Sequence, residues 1–569
     1  MPTPTWQELG AQKRASILAE IPKEWLLPSI PSVEEVKDVS GTYTHQFLSA
    51  REIEITESDA EVIVEKTRGG VWSCVDVCKA FCHRAAIAHQ LTNCLHEIFF
   101  TAALHDAELL DKNYAQSAPL GPLHGLPISL KDQIHVRNVE TSMGYIGWLG
   151  TFEGKPRQPH HADFESELVR ELRQLGAILY VKTSVPHTLM CGQTVNNIIG
   201  FTENPKNRYL TAGGSSGGEG ALIGARGSVV GFGTDIGGSI RVPAAFNGLY
   251  GLRPSSGRLP YEGMANSMDG QNTILSVVGP LATTVSALRL VTKGLLSTEP
   301  WSHDPLVVEM PWRAEQEKLP EKLVFGVIRH DGVVGVTPPI KRALEMTISA
   351  LKKQGHEASS PQPIKQAIAN DRQQVIEWTP PPHSTLHTIS SKVWSYDSGN
   401  DCNSAFALSA ETPSPLMNPP YNPTDPEFTA SQIAENNVAQ RTIKKQYLEY
   451  WNSTVALTGT GRPVDAVLSP AAPFPAARPG AFPYYGYTSW VNLLDYTSVA
   501  FPVTQVDGGV DKVEEGYVPL NDDDKICYES YDPQIYDGAH VALQIVGRRF
   551  QEERMLAIAD VTSAALKVL

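Results

Sequence analysis

Two segments rich in glycine and serine carry the residues best suited to chemistry. Residues 213–218 read Gly-Gly-Ser-Ser-Gly-Gly, and residues 235–241 read Asp-Ile-Gly-Gly-Ser-Ile-Arg. Glycine loses the most backbone entropy on ordering, so such segments make poor helices and strands. They do let backbone N–H groups approach a ligand closely, with serine hydroxyls among them. This combination is typical of a site where a serine attacks a carbonyl carbon and N–H groups hold the oxyanion that forms.

Three kinds of site could use these segments. Residues 213–217 match the G-x-S-x-G pattern of a nucleophile elbow, but 208–212 make a poor preceding strand and the best later histidine, His540, stands alone. A nucleotide-binding loop fits less well, because no Gly-x-x-x-x-Gly-Lys-Ser/Thr run occurs and 231–233 lack the third glycine of a dinucleotide fingerprint. The third kind pairs a serine with a lysine base.

Lys131 is the candidate for this base. It follows the apolar segment 126–130, a position where a lysine can be withdrawn from water. Burial disfavours the ammonium form and can lower a lysine pKa by several units from about 10.4, and only the neutral amine can take a proton from a serine. A surface lysine extending from the end of a strand would have the same sequence context. The glycine–serine segments downstream favour the base.

Helices and short apolar strands alternate around these segments. The apolar runs predict strands at 126–130, 177–181, 229–233, 323–328 and 465–470. Apolar residues at helical spacing predict helices at 73–95, 168–175 and 431–451. Short strands that are apolar throughout and alternate with helices are typical of a sheet covered on both faces. The sequence therefore predicts an α/β fold, a single large domain with a mixed central β-sheet covered by helices on both faces.

The N-terminal part and one internal region depart from this alternation. Residues 1–75 predict a helical N-terminal extension packed on the core, with one helix capped by Thr5 and another beginning at Thr56. Residues 76–569 are expected to form the catalytic domain. Within that domain, residues 360–430 are crowded with proline and predict an irregular insertion on the surface.

Composition excludes several classes of function. The 569 residues are 41% hydrophobic, which suits a folded globular enzyme, and the net charge of −15 argues against nucleic acid or an anionic membrane as a partner. The sequence shows neither a secretory signal nor an apolar run of about 18 residues, so we expect a cytoplasmic protein. Cys74, Cys78 and Cys82 share one helix face and are expected to be core thiols rather than metal ligands. No metal or cofactor is expected.

Three motifs in order resemble the amidase signature family. They are Pro-Ile-Ser-Leu-Lys-Asp at 127–132, the serine segment at 213–218 and Gly-Thr-Asp-Ile-Gly-Gly-Ser-Ile-Arg-Val-Pro at 233–243. Further stretches resemble the fungal acetamidase and general amidase branch, at 121–125, 194–200, 249–254 and 546–549. The likeness covers nearly the whole chain, with the proline-rich 360–430 region the least similar part.

The resemblance implies roles for Lys131 and for several residues of the two glycine–serine segments. Ser239 would be the nucleophile, Lys131 the base, and Ser215 the serine that links them, with a cis peptide bond from Gly214. The oxyanion hole would be formed by the backbone N–H groups of Ile236, Gly237, Gly238 and Ser239. In supporting roles, Ser216 would orient the hydroxyl and amine network, and Asp235 and Arg241 would be structural charges on either side of the nucleophile loop.

A site of this kind implies a serine amidase. It would hydrolyse the C–N bond of small carboxylic amides, through an acyl-enzyme, to carboxylate and ammonia or amine. A carbamate or ester hydrolase with the same triad, and a subunit of a transamidating amidotransferase, stay open as alternatives. A non-catalytic homologue is disfavoured by the intact triad. Contacts to a small-molecule amide are expected from Leu189, Met190 and Tyr145, and family members often form homodimers.

Overall fold

The computed structural model describes residues 4–114, 121–354, 357–358, 376, 378–416 and 425–568. Its helices are α1 (Trp6–Ala19), α2 (Thr42–His45), α3 (Ala50–Thr56), α4 (Ala60–Arg68), α5 (Cys74–Thr92), α6 (Phe100–Tyr114), α7 (Glu167–Gln174), α8 (Gly217–Gly224), α9 (Arg241–Phe246), α10 (Val285–Leu296), α11 (Pro338–Lys353), α12 (His383–Val393), α13 (Asn400–Ala407), α14 (Ala430–Ser453), α15 (Val455–Thr458), α16 (Gly486–Leu494), α17 (Asp522–Glu529), α18 (Pro533–Tyr536) and α19 (Glu552–Leu566). Its strands are β1 (Leu95–Ile98), β2 (Pro127–Lys131), β3 (Ile178–Thr183), β4 (Val195–Asn196), β5 (Gly200–Phe201), β6 (Val230–Asp235), β7 (Tyr250–Arg253), β8 (Val277–Ala282), β9 (Val324–Val327), β10 (Glu357–Ala358), β11 (Ala466–Pro470), β12 (Ser498–Gln505) and β13 (His540–Val546).

In the part of the chain that the structure describes, eleven strands form one mixed sheet. Their order is β1-β3-β2-β6-β8-β7-β12-β13-β11-β9-β10, and β4 and β5 pair separately. Strand β2 is parallel to β3 and β6, and β9 is parallel to β10 and β11, whereas the other pairs of the sheet are antiparallel. Helices pack on both faces, among them α8, α9, α10, α11 and α19. The predicted α/β fold with a mixed sheet is confirmed.

The parallel pairing of β2 and β6 positions the candidate site. Ser129 and Leu130 of β2 pair with Gly231 and Phe232 of β6, so both strands end at the same edge of the sheet. Lys131 is the last residue of β2, and the loop that carries Ser239 follows β6. The five predicted strands correspond to β2, β3, β6, β9 and β11 within a few residues.

The N-terminal helices share the main hydrophobic core with the sheet. Ile17 and Ile63 are buried in the same cluster as the residues of α5 and β3. Thr5 caps α1 as predicted, with a reciprocal capping box to Glu8. The second predicted helix does not begin at Thr56, because Thr56 ends α3 and Asp59 is the N-cap of the next helix, α4. The domain boundary near residue 75 stays a prediction.

The expectation of an irregular insertion at 360–430 is wrong for much of its described part. Helices α12 and α13 form there, and α12 buries Leu386, Ile389 and Val393 at i, i+3 and i+7. Pro380 to Pro382 come before α12 and therefore do not interrupt it. Residues 360–375, 377 and 417–424 lie outside the described residues.

Two further expectations concern thiols and membranes. All seven cysteines are buried and none forms a disulfide bond among the described residues, and Cys78 Sγ lies 3.8 Å from Cys82 Sγ inside α5. This confirms that the three cysteines of α5 belong to the core. None of the described helices is both long enough and apolar enough to span a lipid bilayer.

Candidate active site

Lys131 is completely buried at the end of β2 and faces hydroxyl groups. Its Nζ lies 2.7 Å from Ser215 Oγ and 2.7 Å from Thr234 Oγ1. Burial lowers the pKa of Lys131 from 10.5 to about 7, against the opposing influence of the carboxylates of Asp235 and Glu219. Above pH 7 the amine is therefore mostly neutral and can act as a proton acceptor.

A second buried lysine shows what sets Lys131 apart. Lys182 is buried in the adjacent strand β3, but its Nζ lies 3.0 Å from Asp132 Oδ1, an ion pair that favours the charged form. Burial lowers the pKa of Lys182, and Asp132 opposes this effect. Lys131 has no carboxylate within hydrogen-bond distance among the described residues, so its ammonium form lacks that compensation.

The contacts of Thr234 fix the direction of the hydrogen bond to Ser215. Thr234 Oγ1 donates its proton to Gln133 Oε1 at 2.5 Å, and Gln133 Nε2 donates to the carbonyl of Ala265 at 2.9 Å. Because its proton is used, the Thr234 hydroxyl can only accept a hydrogen bond from Lys131. A neutral Lys131 amine that donates to Thr234 keeps its lone pair for the Ser215 proton.

The serine segment itself needs glycine on both sides. A Cβ atom on Gly214 would lie 2.5 Å from the carbonyl oxygen of Cys191, and one on Gly217 would lie 2.2 Å from Thr194 Oγ1. The peptide bond between Gly214 and Ser215 is cis, as the family resemblance implies. The close approach of Cys191 and Thr194 therefore explains why Ser215 and its neighbour are flanked by residues without side chains.

Asp235 and Arg241 shape the loop between them. Both are fully buried, and the guanidinium Nε and Nη2 lie 3.0 Å from Asp235 Oδ2 and Oδ1. Asp235 also accepts the N–H groups of Gly238 at 2.8 Å and Ile240 at 3.1 Å. Burial acts to raise the pKa of Asp235, but Arg241 outweighs it and lowers the pKa to about 2. The pair thus holds the loop around Ser239 in shape.

Ser239 is half-buried and lies on this loop, next to the serine segment. Its carbonyl oxygen accepts the N–H of Ser216 at 3.2 Å, which joins the two segments. Ser216 Oγ lies 3.4 Å from both the N and the O of Thr234. Among the described residues, Ser239 Oγ has no hydrogen-bond partner, so it is not bonded to Ser215 in this structure.

The N–H groups predicted for the oxyanion hole differ in their contacts. Those of Ile236, Gly237 and Ser239 have no acceptor among the described residues. The Gly238 N–H already donates to Asp235, and Thr488 Oγ1 donates to the Gly237 carbonyl at 2.6 Å, so that peptide is held at both ends. This removes Gly238 from the predicted donor set and leaves three candidates.

A cavity of about 770 Å³ opens in front of Ser239. The residues of the glycine loops that line it are Gly214, Ile236, Gly237, Gly238 and Ser239. Leu189 and Met190 line it as well, whereas Tyr145 does not. The Tyr145 ring is buried against Trp148 and Phe406, with its hydroxyl 3.1 Å from Ser267 Oγ, so the expectation that it contacts substrate is wrong.

A family model and two curated relatives match this chain over most of its length. The model described as Amidase matches residues 76–556. An acetamidase of Emericella nidulans is 46% identical over 98% of this chain and 97% of that protein, and an acetamidase of Aspergillus oryzae is 45% identical over 98% of both. The chain belongs to the amidase family. It is a serine-type amidase that hydrolyses amide C–N bonds.

The amidase assignment agrees with the fold. A solved structure of fatty acid amide hydrolase has a TM-score of 0.88 to this chain at 32% identity, over 98% of this chain and 94% of that one. A nucleophile elbow with a histidine base is not supported. His540 begins β13, and its ring packs against Gly248, where a Cβ atom would lie 2.5 Å from the His540 Nδ1. Ser215 Oγ is instead hydrogen-bonded to Lys131 Nζ.

The motifs of this amidase gave no role to Glu219, a buried neighbour of the site. Glu219, fully buried in α8, accepts hydrogen bonds from Ser129 Oγ at 2.6 Å and Thr183 Oγ1 at 2.9 Å. Burial raises its pKa to about 8, against the opposing influence of its hydrogen bonds and of Lys131. A signal was available, since Glu219 is the single charged residue between Arg208 and Arg226.

Proposed function

We propose that this amidase forms an acyl-enzyme on Ser239, with Lys131 as the base and Ser215 as the relay between them. The observation that carries the proposal is the contact of the fully buried Lys131 Nζ with Ser215 Oγ at 2.7 Å. The lowered pKa of Lys131 and the hydrogen bond between Ser216 and Ser239 support it.

The first half of the reaction builds the acyl-enzyme. Neutral Lys131 takes the Ser215 proton as Ser215 takes the Ser239 proton, and Ser239 Oγ bonds to the amide carbonyl carbon. The oxyanion is held by the N–H groups of Ile236, Gly237 and Ser239, each worth about 3 kcal/mol in comparable sites. When the C–N bond breaks, the Lys131 ammonium returns the proton through Ser215 to the departing nitrogen, and ammonia or an amine leaves.

The second half releases the acid. A water molecule attacks the ester carbon of acylated Ser239 and gives a proton through Ser215 to Lys131. The bond between the carbon and Ser239 Oγ then breaks, the proton returns to Ser239, and the carboxylic acid leaves and ionises in water. The neutral Lys131 amine is restored, so each turnover consumes one amide and one water.

The relatives support small-molecule carboxylic amides as substrates. Two relatives at 45–46% identity are named acetamidases, and the relative of solved structure is named for fatty acid amides. The buried cysteines form no disulfide bond among the described residues, which suits a reducing compartment and supports a cytoplasmic location. Formation of a homodimer is a further proposal that follows from the family resemblance alone.

Ammonia release by the purified chain tests this function. The chain alone should release ammonia from acetamide. The Ser239→Ala substitution should lower the rate of release by at least about 10³-fold. A fluorophosphonate probe should label the natural chain but not the Ser239→Ala variant. Circular dichroism serves as the folding control. Release that requires a partner subunit and glutamine would favour the transamidating alternative. Faster turnover of carbamates or esters than of every amide would favour the hydrolase alternatives.

A further inference from the structure

The cavity in front of Ser239 is much larger than an acetyl group requires. Its volume is about 770 Å³, whereas a water molecule occupies about 30 Å³ in the liquid. Among the described residues that line it, apolar side chains include Leu189, Met190, Ile236, Val242, Trp394 and Phe428. Each methylene group buried against such a wall raises affinity about fourfold. The size of the cavity thus favours amides with a longer apolar body.

The side of the cavity formed by α12 and the start of α14 offers hydrogen-bond acceptors. Its hydroxyl groups belong to Ser391, Ser395, Ser398 and Thr429. Each of these hydroxyls donates its own proton to a protein acceptor, at distances of 2.8–3.1 Å. A hydroxyl that has used its proton presents only lone pairs to a ligand. This side therefore suits a ligand group that donates hydrogen bonds.

The charges around the cavity also favour a ligand that is neutral or positively charged. Among the described residues that line it, none is lysine or arginine, and Asp425 and Glu427 lie exposed at its edge. Burial lowers the pKa of His387, which keeps that side chain uncharged at neutral pH. A carboxylate on the substrate would meet Asp425 and Glu427 and, within the described part of the lining, no lysine or arginine, in a protein of net charge −15.

We propose that the substrates are neutral or cationic amides with an apolar body of about five or more carbons and a hydrogen-bond donor that faces the hydroxyls of Ser391, Ser395, Ser398 and Thr429. The inference rests on the proposed function, because it places the cleaved carbonyl at Ser239. It also disfavours glutamine, whose α-carboxylate would find no lysine or arginine on the described cavity wall. The transamidating alternative loses support for that reason.

A matched set of four primary amides tests size and charge separately. Acetamide and hexanamide differ in length, and 6-aminohexanamide and the monoamide of adipic acid add a positive or a negative charge to the six-carbon chain. We expect kcat/KM for ammonia release to be at least about tenfold higher for hexanamide than for acetamide. We expect 6-aminohexanamide to match or exceed hexanamide and the adipic monoamide to fall at least about tenfold below it.

Charge-removing variants test whether the edge of the cavity is responsible. The double variant Asp425→Asn/Glu427→Gln should narrow the ratio between hexanamide and the adipic monoamide by about threefold or more. The control Glu20→Gln/Glu24→Gln removes two exposed carboxylates near the N-terminus that do not line the cavity, and should leave the ratio unchanged. Raising the ionic strength should narrow the ratio in the natural chain and change it less in the first variant.

The outcomes separate this inference from the function beneath it. Equal kcat/KM values for acetamide and hexanamide, or an adipic monoamide as good as hexanamide, would overturn the inference. Probe labelling of Ser239 and ammonia release from acetamide would then still support the amidase mechanism. If no amide is cleaved and Ser239 is not labelled, the proposed function fails and the inference fails with it.

Discussion

Lys131 Nζ and Thr234 Oγ1 lie 2.7 Å apart at the ends of two neighbouring parallel strands. This contact matters because the Thr234 proton is already donated to Gln133 Oε1. Lys131 must therefore donate to Thr234, which directs the amine lone pair toward Ser215. In the proposed mechanism, this strand pairing places the base and sets the direction in which protons move.

Replacing Gln133 should weaken the relay while leaving the triad in place. In Gln133→Leu the Thr234 hydroxyl loses its acceptor and can turn its proton toward Lys131, which engages the lone pair that Ser215 needs. We expect kcat to fall by about tenfold or more and KM to change little, measured by steady-state ammonia release. Tyr261→Phe, which removes the contacts of that hydroxyl with Gln133 Nε2 at 3.2 Å and Asn266 Oδ1 at 2.7 Å but leaves the Gln133 acceptor for Thr234, is the control and should stay within about threefold.

Removing the buried amine should stabilise the fold at neutral pH. The folded-state pKa of Lys131 is about 7 and its unfolded value is about 10.4, so between these values the unfolded chain binds the extra proton. The natural chain therefore gains stability relative to Lys131→Met as pH rises from 7 to 10. We expect the difference in the free energy of unfolding to move by about 3 kcal/mol in that direction, by urea titration at both pH values. A difference that does not depend on pH would show that Lys131 has an ordinary pKa.

Replacing Gly214 by alanine should lower activity, whereas replacing Gly294 by alanine should keep activity and stabilise the fold. Gly214→Ala would place a Cβ 2.5 Å from the Cys191 carbonyl oxygen, so the serine segment must shift and activity should fall by at least about 10²-fold. Gly294 lies inside α10, where a Cβ would meet its nearest atom at an ordinary 3.5 Å. Gly294→Ala should therefore keep activity and raise the free energy of unfolding by about 0.5–1 kcal/mol. Full activity in Gly214→Ala would contradict the account of the segment.

The ion pair of the nucleophile loop should matter more than a surface pair. Asp235→Asn leaves the buried Arg241 guanidinium without its carboxylate, which costs about 3–5 kcal/mol in comparable sites. The control is Glu449→Gln, because Glu449 pairs with Lys445 on an exposed face of α14 and its loss should cost under about 1 kcal/mol. Thermal or chemical unfolding of both variants gives the comparison. Equal losses would mean that the buried pair does not organise the loop.

The residues of the proposed triad were predictable because local sequence motifs indicate their chemistry. Lys131 at the end of an apolar strand and Ser215 among glycines need no long-range information to be recognised as candidates. The contact that joins them was not predictable from the motifs alone, because it depends on the parallel pairing of β2 with β6. The same holds for Gln133, whose amide is oriented by the Ala265 carbonyl more than 100 residues away along the chain.

The cavity wall was the hardest part to predict. Helix α12 and its C-cap supply His387, Ser391 and Trp394 to the cavity, yet the helix lies beside a proline cluster that suggested irregular structure. Proline marks where a helix cannot continue, and it leaves open whether one begins afterwards. The prediction that Tyr145 contacts substrate was wrong for a related reason. An aromatic residue near a site can also pack in the core, and the sequence does not show which neighbours surround it.

The central claim is that the Lys131 amine is neutral under working conditions. The direct measurement is a pH titration of the side-chain resonances of isotope-labelled lysine in the Ser239→Ala variant, with Lys131→Met to assign the signal. The account predicts one lysine that titrates near pH 7 and is absent from the spectrum of the Lys131→Met variant. A Lys131 signal that titrates near pH 10.4, like an exposed lysine, would contradict it.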